Sequence, residues 1–133
     1  MERQPRLITV EDEEWPVLVL ISFDIDGTLE IGDPPGVLTM DMVRLVREKG
    51  FLIGSCSDRT LSGQRAIWAA HEIEVDFVVS KHMLPDVKAQ FEADVYLHIG
   101  DREDLDRRYA LAAGFEFLWP HEAVAHPHFH PDL

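Results

Sequence analysis

The chain has one cysteine, Cys56, among its 133 residues. No disulfide can close within it, and such a composition fits a reducing compartment. No apolar run approaches the roughly 20 residues that cross a bilayer. The opening Met1-Glu2-Arg3-Gln4-Pro5-Arg6 lacks the apolar stretch of a signal peptide, so a cytoplasmic location is the expectation. Positive charge is scarce: 12 Lys and Arg stand against 25 Asp and Glu, a formal net charge of −13. That balance works against loose binding to nucleic acid or anionic membrane, although a local site can still be basic. What the chain does have is apolar content, 46% of its residues. A domain of this length buries about two-thirds of its unfolded surface, enough for a core.

The apolar residues come in short runs. Val17 to Phe23, Phe51 to Cys56, Val75 to Val79, Val95 to Ile99 and Phe115 to Leu118 read as strands. Between them lie helical patterns at about 40–49, 61–71, 84–93 and 104–113. Thr39 is the candidate N-cap of the first, and Gly50 and Gly114 are stop signals. Pro85 suits a first helical turn. Strands alternating with helices pair in parallel through right-handed crossovers. The predicted fold is a doubly wound, Rossmann-like three-layer α/β sandwich with a mainly parallel five-stranded sheet over 17–118. Residues 1–16, with the run Glu11 to Glu14, read as an acidic solvated lead-in, in which Leu7 to Val10 is also compatible with a short edge strand. Residues 119–133 read as a Pro/His-rich solvated tail.

In such sheets ligands bind beyond the carboxyl ends of the strands, where strand order reverses. The first strand ends in Asp24-Ile25-Asp26-Gly27-Thr28. Carboxylates are costly to bury, so these two belong at the mouth of the sheet. Side chains two apart on extended chain face the same way, and Gly27 permits a sharp turn. Ser57, Lys81 and Asp101 end other strands at the same edge. As a pair in isolation, Asp24 and Asp26 are equally compatible with a strand–turn junction. Ser57 alone is compatible with a helix cap, and Asp106 and either lysine with a solvated helix face.

Taken together, these segments resemble the haloacid dehalogenase superfamily of phosphatases and phosphotransferases. Its first motif, Asp-x-Asp-Gly-Thr after a strand, stands here as Asp24 to Thr28. The second, a Ser or Thr closing the next core strand, matches Ser57 in Ser57-Asp58-Arg59, with Ser55 as the competing assignment. The third is a lysine. Lys88, 12 residues before Gly100, is favoured over Lys81. The fourth is Gly100-Asp101 with a further acid, Asp106 or Asp104. The resemblance implies Mg²⁺ held by Asp24, Asp101 and the backbone of Asp26. It makes Asp24 the nucleophile that forms an aspartyl-phosphate, and Asp26 the general acid and base. Ser57, a lysine and Thr28 would bind the phosphoryl group, with Asp106, Arg59 and Arg102 in support.

Many members of that family insert a cap domain after the first motif or between the second and third. Here Leu29 to Leu38 is only a loop, and Arg59 to Lys81 holds one helix and one strand. A capless site is open and would admit a large phosphorylated substrate. The Ser-Asp-Arg and Asp-Arg sequences resemble phosphatase domains that trim nucleic-acid ends, a subclass that the net charge argues against. The expected function is hydrolysis of a phosphate monoester. A binding or regulatory module with little turnover is the alternative. A phosphotransferase comes third, because it needs a cap to exclude water. Three other features read as structural: His98 and Cys56 as buried packing, and the alternating His126, His128 and His130 as part of the tail.

Overall fold

The computed structural model describes residues 6–10 and 13–131, with side chains from residue 17 onward. Its elements, in order, are β1 (Arg6–Val10), β2 (Glu13–Val17), β3 (Val19–Phe23), α1 (Met40–Glu48), β4 (Leu52–Cys56), α2 (Leu61–Ala70), β5 (Phe77–Val79), α3 (Leu84–Gln90), β6 (Val95–Ile99), α4 (Arg108–Ala112), β7 (Glu116–Leu118) and α5 (Pro120–Ala125). A 3₁₀ turn at Lys81–Met83 leads into α3, a π-helical turn at Glu103–Arg107 leads into α4, and a second 3₁₀ turn, Pro127–Phe129, follows α5.

Five strands form one parallel sheet in the order β5-β4-β3-β6-β7. Successive strands step outward from β3 in one direction through β4 and β5. The chain then returns to the other side of β3 for β6 and β7. The reversal falls between β3 and β6, beside the carboxyl end of β3.

Two-residue periodicity sorts the strand residues onto two faces. Val19, Ile21 and Phe23 of β3, with Ile53, Leu97 and Ile99, pack in one cluster against Met40, Val43 and Val46 of α1 and Trp68 of α2. Leu20 points the other way. It joins Cys56, Phe77 and Val79 against Leu84 and Val87 of α3 and Ala110 of α4. β3 is buried along its whole length, as the continuous apolar run requires of a central parallel strand. Helix α1 starts where its cap dictates: the Thr39 hydroxyl accepts from the Met42 N–H at 3.1 Å.

Both ends of the chain differ from the expectation. Within the supposed lead-in, β1 and β2 pair antiparallel, with Ile8 opposite Trp15. Residues 1–5 and 11–12 of that segment, which include Glu11 and Asp12, lie outside the described residues. The supposed tail is packed. Phe129 is 2% exposed within the α1-side cluster and meets the Phe23 ring edge-on at 6.1 Å. The His128 ring meets Phe51 at 5.1 Å. The Lys49 ammonium donates to the carbonyls of Pro127, His128 and His130 at 3.2, 2.8 and 2.5 Å. Proline and histidine made this segment look solvated, but they form tight turns that carry Ala123 and Phe129 onto the sheet. The three histidines do not line one face of an extended strand. His126 Nδ1 accepts from the His128 N–H within the 3₁₀ turn, and His130 Nε2 meets the Val124 carbonyl. No helix of the described residues is long and apolar enough to cross a membrane.

Candidate active site

The carboxyl ends of β3, β4, β5 and β6 bring Asp24, Ser57, Lys81 and Asp101 to one edge of the sheet. Asp24 follows β3 directly, and its backbone N–H donates to Ile99 of β6 at 2.9 Å. Its carboxylate is almost wholly buried. The Thr28 hydroxyl donates to Asp24 Oδ2 at 3.2 Å, and the Lys81 ammonium lies 3.4 Å from Oδ1. Thr28 is itself fully buried, so its hydroxyl holds Asp24 and does not face the open volume.

Lys81 also reaches Asp106 Oδ1 at 3.1 Å. Asp106 is fully buried and has a donor on every side. His98 Nε2 meets Oδ1 at 2.9 Å, and the Arg102 backbone N–H meets Oδ2 at 3.0 Å. The wide π turn ahead of α4 delivers this side chain. Both Asp106 and Arg107 donate from the backbone to the Arg102 carbonyl, opening the coil where the carboxylate is anchored; π turns of this kind concentrate at functional sites.

Two glycines are required by contact with Asp101 and Asp106. A Cβ on Gly100 would lie 2.2 Å from Asp106 Cγ, so the glycine preceding Asp101 makes room for the second acid. Gly27 has φ +77°, and a Cβ there would fall 1.9 Å from Asp101 Oδ2.

The electrostatics follow from burial. Desolvation raises the Asp24 carboxyl to about 8, with neighbouring Asp106 adding to the push and Lys81 opposing it. Burial pushes Asp106 the same way, but His98 and Lys81 outweigh it and hold this acid below its ordinary value. Burial opposes the Lys81 charge, yet Asp24 and Asp106 keep its pKa above the ordinary lysine value. One ammonium thus faces two buried carboxylates, with Asp101 alongside as a third acid.

Asp24, Asp101 and Asp106 each offer a carboxylate oxygen, all within 4.8 Å of one another, and theirs is the one such group among the described residues. Asp101 is the exposed member. The donor set is hard oxygen without sulfur or imidazole, which fits a divalent cation of the magnesium or calcium kind. The excess buried negative charge fits it too, since a cation there would let Asp24 ionise at neutral pH.

Several expected roles fall differently. The Asp26 carboxylate does not join the acidic cluster. Arg59 grips it, with Nε at 3.2 and 3.1 Å from its two oxygens and Nη2 at 2.7 Å from Oδ1, and the Asp33 N–H adds a further bond at 2.8 Å. The guanidinium holds Asp26 below the usual carboxylate range. The lysine at the site is Lys81. Lys88, favoured from its spacing, is exposed on α3, donates to the Gly114 carbonyl at 3.2 Å and lies over the Tyr96 ring.

Of the two serines, Ser57 is at the sheet edge and its hydroxyl accepts from the Arg59 N–H at 3.1 Å. Ser55 points into the α2 side of the core, bonded to Gln64 and Trp68. Thr60, not Ser57, caps α2. Asp106 takes the buried position, and Asp104 pairs with Arg102 at the surface. The Arg102 side chain is thereby turned to Asp104, while its backbone serves Asp106.

Two contributors carried no functional signal in the sequence. Gln64 donates to the carbonyls of Arg59 and Val79 at 3.0 and 3.2 Å, tying the Ser57–Arg59 loop down. His98 stands behind Asp106. A histidine inside an otherwise apolar strand was the only visible sign of it.

No family model, no curated protein and no solved structure matches the chain.

Proposed function

We propose that this chain is a phosphate monoester hydrolase of the haloacid dehalogenase type. The observation that carries this reading is the buried ammonium of Lys81, set between Asp24 and Asp106 at the carboxyl edge of the sheet. A lysine so placed complements an incoming phosphoryl group as well as the acids around it. Asp24 would attack phosphorus, expelling the alcohol and forming an aspartyl-phosphate. Asp26 would give its proton to the departing oxygen. It would then take one from the water that attacks phosphorus, releasing inorganic phosphate and restoring Asp24. Ser57 and Lys81 would hold the non-bridging oxygens. Mg²⁺, with Asp24 and Asp101 as its protein ligands, would supply charge neutralisation of the phosphoryl group. The loop 29–38 folds back through a Leu29–Leu38 bridge and is tied to Asp26 and Gly27 by the Asp33 N–H and the Pro34 carbonyl; it is too short to form a cap domain, which suits a substrate larger than the site.

The test is hydrolysis of a panel of phosphate esters, headed by p-nitrophenyl phosphate, with Mg²⁺ and with EDTA. Turnover that requires Mg²⁺ is expected; its absence across the panel would refute the hydrolase reading.

The grip of Arg59 on Asp26 favours the second reading, a phosphate-binding module with little turnover, because an acid held ionised has no proton to give. On the hydrolase reading, Asp26 must be protonated for the first step, so kcat/KM falls above its pKa. Arg59→Ala relieves the depression and is expected to move that alkaline limb to higher pH. A pH–rate profile checks it. A limb that does not move would remove Asp26 from the acid role.

A further inference from the structure

Resting on the phosphoryl-transfer reading, we propose that His98 is a positioning residue that fixes Lys81 through Asp106, with Ser22 fixing the imidazole in turn. Ser22 and His98 are register partners on β3 and β6. Both are completely buried, on the sheet face that carries Leu20 and Tyr96. An apolar side chain would fill that layer without the desolvation cost of a polar one. The imidazole instead has both nitrogens engaged, Nδ1 at 2.9 Å from Ser22 Oγ and Nε2 at 2.9 Å from Asp106 Oδ1. An ionised carboxylate only accepts, so Nε2 carries the hydrogen toward Asp106. In the neutral ring Nδ1 then accepts from the Ser22 hydroxyl.

The consequence runs outward. Asp106 is oriented by three donors from three places in the chain: His98 of β6, the Arg102 backbone and Lys81. The Lys81 stem is flexible, and its ammonium is located by Asp106 Oδ1 and Asp24 Oδ1. Without the His98 donor, Asp106 Oδ1 keeps only Lys81. The carboxylate is then anchored only through Oδ2 on the Arg102 N–H, about which Oδ1 can swing, drawing the ammonium off the place where it meets Asp24. The chain Ser22–His98–Asp106–Lys81 thus runs from the middle of the sheet to the nucleophile, and only its last link would touch substrate.

Two variants separate the links. Gln places a donor where Nε2 stands, whereas Asn is too short to reach Asp106. His98→Asn is expected to lower kcat/KM for p-nitrophenyl phosphate about 10- to 100-fold, and His98→Gln to recover to within about fivefold of the parent. The readout independent of turnover is the ¹⁵N side-chain ammonium NMR signal of Lys81, assigned by its loss in Lys81→Met. It is expected to shift or broaden in His98→Asn and persist in His98→Gln. The Lys49 ammonium, held by three carbonyls on the far side of the fold, stays constant. A Lys81 signal and a kcat/KM in His98→Asn that match the parent overturn the proposal. If the parent hydrolyses no ester while the NMR pattern holds, the positioning stands and the hydrolase reading falls. If the His98 variants do not fold, Ser22→Ala decides. A moved Lys81 signal in that variant supports the chain of contacts, and an unmoved one overturns it.

Discussion

Asp24→Asn is expected to abolish phosphate ester hydrolysis, by about 10³-fold or more, while making the metal-free protein more stable near neutral pH. The two effects have one cause. Burial raises the Asp24 carboxyl from 3.8 to about 8. The folded state therefore binds a proton that the unfolded state has lost. Stability from the protonated form is complete below about pH 4 and is lost progressively as the pH rises to about 8, where the folded-state group also ionises. An amide does not titrate, so the variant escapes that loss. Its advantage should grow from pH 4 to 8 and level off above, reaching on the order of a few kcal/mol. Thermal unfolding with EDTA across that range measures it. Mg²⁺ should reverse the order, raising the Tm of the parent more than that of the variant, because a cation at the cluster binds a carboxylate better than an amide. Retained hydrolysis in Asp24→Asn would exclude an aspartyl-phosphate at this position.

Lys81→Met should be costly in both respects. The substitution keeps the length of the side chain and removes the charge, leaving Asp24 and Asp106 buried without their shared cation. Breaking a buried pair in this way costs about 3–5 kcal/mol. Hydrolysis should fall by roughly 10²- to 10³-fold, as for the loss of a preorganised group at the transferring phosphoryl. Lys88→Met is the control. That ammonium serves one carbonyl and one ring on the surface, so the change should cost under about 1 kcal/mol and leave kcat/KM within about twofold. The reverse outcome, with activity lost at Lys88 and kept at Lys81, would return the phosphate-binding role to α3.

The difference between these lysines shows what the sequence could convey. Within 17–118 the strand and helix order was legible because each buried strand is a short apolar run, α1 has a threonine cap, α3 a first-turn proline and α4 a glycine stop. Val95–Ile99 was located to the residue. Residues directly at strand ends were legible too, since topology alone carries Asp24, Ser57 and Asp101 to one edge. Distance along the chain from Gly100 favours Lys88. Its α3 position points it at Gly114 instead, while Lys81 lies two residues past the end of β5. His98 was opaque for a different reason. Its partners are Ser22, 76 residues away, and Asp106, delivered by a π turn that no periodicity announces. Asp26 was legible as an acid at a strand end, but its ion pair with Arg59 was not, because it spans two loops that meet only in the folded sheet.

The packed C-terminal segment moves the boundary of the folding unit. Phe129 presses on Phe23, the residue immediately before Asp24, so the last turn of the described chain underpins the first acid of the site. Burying a phenylalanine of this kind contributes about 1.5–3 kcal/mol. A protein trimmed after β7 would keep every polar group of the cluster yet lose the wedge beneath its central strand. Domain truncations and fusion junctions should therefore respect residue 130, not 118.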